Sequence, residues 1–388
     1  MGIVGRLPVL ALLFSLCAVA ADVIAGETDA AGPPIALTNY TGGETLRYPV
    51  PLIRGVLADT TLTTVEVVNE SSSRDTARLT CQAYQGRFKA LTELVPGENR
   101  IVISAGGDQL AVNLNYAPQT NPHVVRVVYA TDSTGDTAYQ TPFEDDPQNY
   151  ADKLGVMMML MQTFTAERMH DLDLGRRTFN LELDERGKVE VHLLRCDKTA
   201  QEIYDMGGGR VALYGYLHGQ LKRQMPNAKA KNIVIPAFSR FVPETKRNVA
   251  YTALGGGNLA LFGGSNLYCY PGSLADVQRA FSDTTRIDTA RYSSDSAGRH
   301  THWANASTSI GATLHELGHT FGLPHQGDRW AIMQRGFDFF NRFWTVVEPP
   351  PRDGRPPLPI DEARSARWSP DSASQLKGAP WFALEAAP

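Results

Sequence analysis

A chain of 388 residues, 43% of them hydrophobic, is long enough to bury a large core and, at roughly 100–200 residues per domain, points to two domains. Lysine and arginine total 37 against 41 aspartates and glutamates, a formal net charge of −4 with no long run of either sign. That balance lacks the electrostatic footprint of a polyanion binder, so neither nucleic acid nor an anionic lipid surface is an expected partner.

The N-terminus, "MGIVGRLPVLALLFSLCAVAADV", carries Arg6, an apolar run from Leu7 to Leu16, and then Ala18-Val19-Ala20 in the small-x-small pattern of a signal-peptidase site. Residues 1–20 read as a secretory signal cut near Ala20, which sends the protein to an extracellular or periplasmic space. The run is shorter than the ~20 residues of a spanning helix, so no membrane span is expected in the mature protein. Its removal leaves Cys81, Cys196 and Cys269, which permit at most one bridge. Cys196 with Cys269 is the plausible pair because both fall in one expected domain; three unpaired buried thiols is an equal alternative.

From about Ile35 to Ala130, short runs such as "TTVEVVN", "ARLTCQAY", "NRIVISA", "LAVNLNY" and "VVRVVYA" alternate apolar and polar residues between turn-rich pieces. Period two with a turn every eight to twelve residues predicts an all-β sandwich over 35–140. Residues 131–149 lose that periodicity and suit a linker. "YADKLGVMMMLMQTFTAERMHDL" then carries apolar residues at helical spacing and predicts a helix with one face on a core, its methionines serving as flexible filler. "TFNLELDERGKVEVHLL" reads as two strands around a turn. Further strands are expected at "KNIVIPAF", "NLALFGG" and "NLYCYP", and helices around 211–224 and 273–281. Strands mixed with helices predict an α/β or α+β domain over 146–345. The glycine runs 207–209 and 255–257 lack the partners of a phosphate loop and read as tight turns. Residues 346–388 form a proline-rich connector and a tail whose Trp368, Trp381 and Phe382 are expected to dock back on the second domain.

The chemistry concentrates in "TLHELGHTFGLPHQGDRWAIMQRG", residues 313–336, which holds three of the nine histidines. A helix starting at Ser307 or Thr308 puts His315 and His319 four residues apart on one face, where a single tetrahedral zinc can bridge them. Glu316 is turned about 100° around the axis, clear of the metal's coordination position but within reach of a water on it. Gly322 and Pro324 end the helix and let the chain swing His325 back as a third ligand. Three imidazoles leave one position open, the arrangement of a catalytic rather than a structural zinc. Asp328 is a candidate anchor for a ligand imidazole, and His300 and His302 read as surface or supporting residues. A histidine-rich amphipathic helix with no metal is the plain alternative, but the full HExxHxxGxxH spacing is far rarer by chance than HExxH alone.

"HELGHTFGLPH" followed by "AIM" resembles the metzincin zinc peptidases, in which a methionine turn lies beneath the metal. A closer likeness, carried also by "QTFTAERMHDLDLGRRTFNLEL", "TALGGGNLALFGGSNLYCYPGSLADVQRAFSD" and "IMQRGFDFFNRF", is to a zinc metallopeptidase family of fungi, plants and bacteria. The resemblance implies a metzincin-like zincin domain in which His315, His319 and His325 hold one Zn2+, Glu316 is the base and Met333 is the turn residue. It also implies substrate along an edge strand, for which "NLALFGGSNLYCY" is the expected segment. Where some metzincins place a tyrosine two residues after the methionine, this chain has Arg335. The expected function is a secreted zinc endopeptidase acting on protein or peptide through a water activated by zinc and Glu316. Two alternatives stand beside it: an adhesive or carbohydrate-binding sandwich with an inactive peptidase-like scaffold, and a zinc amidase acting on cell-wall material.

Overall fold

The computed structural model describes residues 33–350 and 356–384, so the 1–20 signal lies outside the described residues. The N-terminal strands are β1 (Ile35–Leu37), β2 (Thr45–Leu46), β3 (Leu52–Leu57), β4 (Thr64–Asn69), β5 (Arg78–Tyr84), β6 (Arg87–Leu91), β7 (Gly97–Ala105) and β8 (Asp108–Tyr116). They pair in the order β1-β3-β6-β5-β4-β7-β8-β2, antiparallel except for β2 with β8. The period-two pattern is realised: Val65 and Val67 of β4, and Leu79, Cys81 and Ala83 of β5, are buried between exposed or half-exposed neighbours. Ile53 and Phe88 near one end of this order share a hydrophobic cluster with Ile101, Ile103 and Val112 near the other. One eight-stranded sheet therefore curls over its own apolar face, where the sequence pattern had predicted a two-sheet sandwich.

β9 (Val124–Thr131), whose "VVRVVYA" alternation reads like the preceding strands, belongs elsewhere. It pairs in parallel with β10 (Asn180–Leu181), β11 (Val191–Arg195) and β12 (Ala230–Pro236), and β12 pairs in turn with β16 (Leu259–Phe262). Its burial explains the misreading, because nearly every residue of β9 is buried, as in a strand covered on both faces. The hairpin β13 (Arg240–Val242) and β14 (Arg247–Val249) stands apart, and β15 (Ala253–Gly256) adds antiparallel to β16 as the edge of the second sheet. β16 is thus an interior strand with all four residues buried, and the expected edge at "NLALFGGSNLYCY" moves to β15. "NLYCYP" is a 3-10 turn, Gly264–Cys269, rather than a strand.

Helices α1 (Tyr150–His170), α2 (Ala200–Tyr204), α3 (Gly209–Gln224), α4 (Val277–Ala280), α5 (His302–Thr320), α6 (Asn341–Trp344) and α7 (Pro370–Gly378) fill the spaces around the sheets. α1 is buried on nearly every face, not one, because it runs between the two sheets: Leu154, Met157, Met158 and Met161 join the main core while Ala166 joins the core of the curled sheet. Its Glu167, fully buried, accepts hydrogen bonds from the Tyr48 hydroxyl (2.6 Å), the Tyr40 hydroxyl, Asn39 Nδ2 (3.1 Å) and Arg176 Nε (3.2 Å). A carboxylate can be buried here because each oxygen has donors, one of them cationic. In the tail, Trp368, Leu376 and Phe382 lie in the main core, and Ser369 caps α7 ahead of Pro370. Cys81, Cys196 and Cys269 are all free and buried, so the Cys196–Cys269 pairing is not formed, and burial pushes each thiol up to about 12. No helix among the described residues is long and apolar enough to cross a membrane.

Candidate metal centre and active site

α5 begins at His302, five residues before the expected cap at Ser307. Ser307 and Thr308 lie inside the helix and bond sideways, to Asn341 Oδ1 (3.1 Å) and Asp338 Oδ1 (3.3 Å), which anchors the helix to the segment after Met333. Lateral partners satisfy hydroxyls that would otherwise compete for the helix's own amides. His302 faces Asp283 (3.2 Å) and His300 faces Ser294 (3.1 Å), supporting roles consistent with their reading from sequence.

The helix ends through two backbone bonds, Gly322 N–H to His319 O (3.1 Å) and Leu323 N–H to Gly318 O (3.2 Å), with Gly322 left-handed at φ +82°. This is the Schellman arrangement, which needs a residue without a Cβ penalty at that position. The same turn presents the Leu323 carbonyl to His319 Nδ1 at 2.8 Å, and Ile332 O receives His315 Nδ1 at 2.7 Å. A carbonyl can only accept, so each Nδ1 carries the hydrogen and each Nε2 offers a lone pair. Those two Nε2 atoms face each other at 3.1 Å. Two lone pairs at that distance repel unless a cation lies between them. His325 completes the set, with the three ligand atoms all within 4.8 Å of one another and the rings 4.7–5.2 Å apart. Nitrogens bound to zinc at ~2.0–2.1 Å in tetrahedral geometry lie about 3.3 Å apart, so this all-imidazole donor set fits that ion.

Glu316 is buried beside the cluster, and burial lifts its carboxyl up to about 7 against the opposing pull of the Gly255 amide and the Arg210 charge. Burial, reinforced by the crowding of His319 and His325 and by the Arg335 charge, brings His315 down to about 4 despite its carbonyl partner, and burial lowers His319 as well. The neutral, metal-competent imidazole is thereby favoured. Met333 is fully buried, and its sulfur lies so close to α5 that a Cβ on Gly318 would meet it at 2.4 Å. Asp328 does not anchor an imidazole. It pairs with Arg367 (2.9 Å), whose backbone bonds Ile332 N (2.8 Å) and Trp330 O (3.0 Å), so the tail straps the loop that carries His325 and Met333. Arg335 is held by Asp338 at 2.8 Å.

Sequence reasoning missed Gly255. The run 255–257 is not simply a turn: Gly255 and Gly256 are strand residues of β15, and only Gly257 has a positive φ. A Cβ on Gly255 would stand 2.1 Å from the Glu316 carbonyl oxygen, so glycine is what allows the edge strand to touch the helix. The only signal was the glycine itself in an otherwise extended stretch. A second acidic and histidine group, Glu182, Glu190 and His192, is already engaged, because Glu182 binds Arg126 (2.6 and 2.9 Å) and His192 (2.8 Å).

A family model named Metallopep and described as "Putative peptidase family" matches residues 34–387. The chain belongs to this family. The Metallopep chain is 30% identical over 283 residues to a protein of Schizosaccharomyces pombe named a "putative zinc metalloproteinase", and 29% identical over 298 residues to one of the same description in Saccharomyces cerevisiae. Each match covers 67% of this chain, which spans less than half of either relative, 45% and 42%. Among solved structures, wild-type OgpA from Akkermansia muciniphila superposes with a TM-score of 0.43 at 18% identity, covering 69% of this chain and 64% of that one. Archaemetzincin from Methanopyrus kandleri superposes at 0.29 and 13% identity, covering 65% and 93%.

Proposed function

We propose that this Metallopep chain is an exported zinc-dependent endopeptidase in which His315, His319 and His325 hold one zinc ion and Glu316 is the general base. The observation that carries the reading is the pair of imidazole lone pairs fixed 3.1 Å apart by two carbonyls, with a buried carboxylate on the next residue. Zinc in such a site polarises a carbonyl oxygen and lowers the pKa of water to near 7. Glu316, raised toward neutrality, takes a proton from water at its carboxylate and returns it to the departing amine nitrogen. The Gly255 amide on the neighbouring edge strand favours the ionised form of that carboxylate. β15 leaves one edge unpaired, and an extended polypeptide can add to it as a further strand, gripped on both sides of the bond to be cut. His325 and the buried Met333 support a metzincin-type assignment; export rests on the 1–20 segment.

The test compares wild type with Glu316→Gln on a mixed protein substrate. Both should hold about one zinc per chain, while the variant loses on the order of 10²–10⁴ in turnover and chelation silences the wild type. Equal turnover in the two proteins removes Glu316 as base, and a zinc-loaded wild type that cuts nothing removes the endopeptidase reading. N-terminal sequencing of exported protein should begin just after Ala20.

A further inference from the structure

Alongside β15, the turn leading into α3 and the hairpin strand β14 line an open, solvent-facing cavity of about 700 Å³. Its walls include Met206, Leu213, Tyr204 and Tyr251, and the only charged residues among those lining it are Arg210 and Arg247. Neither guanidinium enters an ion pair or hydrogen bond among the described residues, in contrast to Arg335, which Asp338 holds. Its elements reach β15. Arg210 and Tyr214 lie four residues apart on one face of α3, and the Tyr214 hydroxyl donates to the Gly256 carbonyl of β15 at 2.7 Å. Tyr251 lies two residues before β15 and lines the same space. The charge of Arg210 also reaches Glu316, favouring its ionised form. Gly207 and Gly209, both left-handed, border the cavity without adding a side chain to it.

We propose that this cavity is a substrate subsite for an acidic side chain, aspartate or glutamate, on a polypeptide lying along β15. Two planar guanidinium groups suit a carboxylate, which accepts paired hydrogen bonds from such donors, and Met206 and Leu213 suit the methylene stem behind it. The assignment rests on the peptidase reading for its substrate, but binding tests it without turnover.

Zinc-loaded Glu316→Gln is immobilised and offered a pool of decapeptides randomised at every position, and the retained peptides are sequenced. Acidic residues should be enriched at one position. A peptide with glutamate there should bind at least about tenfold tighter than its glutamine analogue, the scale of a charge-assisted hydrogen bond. Arg210→Ala with Arg247→Ala should erase that difference and leave the melting temperature unchanged, since neither side chain supports another; Arg247→Gln alone should reduce it. Absence of acidic enrichment, or discrimination that survives the double substitution, overturns the subsite. Discrimination by a protein whose Glu316 form cleaves nothing would sink the peptidase reading and keep the anion site, whereas cleavage without discrimination would do the reverse.

Discussion

Gly255→Ala puts the contact between the edge strand and the helix that carries Glu316 to a direct test. The added Cβ would lie 2.1 Å from the Glu316 carbonyl oxygen and 2.8 Å from its carbonyl carbon. Both are backbone atoms of a helix buried almost throughout, so no side-chain rotation relieves the clash. Because Cβ contacts essentially never fall below 3.0 Å, the strand must withdraw by about 0.9 Å at the least. A displacement near 1 Å of a positioning element costs about 100-fold in rate, and overpacking of this kind costs ~1–3 kcal/mol in stability. The Gly255 amide, which favours the ionised Glu316, would move with the strand. The expected result is kcat/KM on a peptide substrate down about 100-fold, a lower melting temperature and unchanged zinc content, because the three histidines lie on α5 and the loop after it. Gly256→Ala is the internal control: its Cβ would find only the Tyr214 hydroxyl at 3.8 Å, an ordinary contact, and activity should stay near wild type. Wild-type turnover in Gly255→Ala, or equal losses in both variants, would refute the argument that this single close approach aims the carboxylate.

Glu167→Ala strips the common acceptor from Tyr40, Tyr48, Asn39 and Arg176 and leaves a buried guanidinium uncompensated; urea denaturation should show a loss of ~3–5 kcal/mol, with turnover per folded molecule preserved. A loss under about 1 kcal/mol would mean that water or rearrangement replaces the carboxylate. Lys89 is buried, its ammonium paired with Glu362 and the Arg342 carbonyl at 2.6 Å each, and burial, partly offset by Glu362, lowers it from 10.5 to about 8. Between pH 8 and 10.5 the unfolded chain then binds more protons at this site than the folded one, so its contribution to stability rises with pH across that window and is flat on either side. The difference in denaturation midpoint between wild type and Lys89→Met should follow that curve; a pH-independent difference would show that the lysine titrates normally.

Much of the site was legible because its determinants are local. The i, i+4 histidines, the glycine that ends α5 and the proline after it act within a few residues of chain, and the fold realises each of them. The same holds for the alternation in β4 and β5. What the sequence concealed depends on distant partners. The Val124–Thr131 strand carries the same apolar alternation as the curled sheet, and only its pairing with β11 and β12 assigns it to the other sheet. The start of α5 was misplaced because Ser307 and Thr308 have the chemistry of caps, yet their partners, Asn341 and Asp338, lie 34 and 30 residues downstream. Asp328 pairs with an arginine 39 residues away instead of a neighbouring imidazole. Gly255 had no local reason to be anything but a turn until the helix backbone was seen against it.

The strap formed by Arg367 sets an order of events during translation. A nascent chain that has just emerged past Met333 holds all three histidines, but the carbonyl of Arg367 that pins Ile332, and the guanidinium that clasps Asp328, have not yet been made. The carbonyl that orients His315 belongs to that same Ile332. Ribosome-bound chains that stop short of residue 367, and fragments clipped ahead of it, therefore lack the brace on the loop that carries Ile332 and so leave the partner of His315 unpinned.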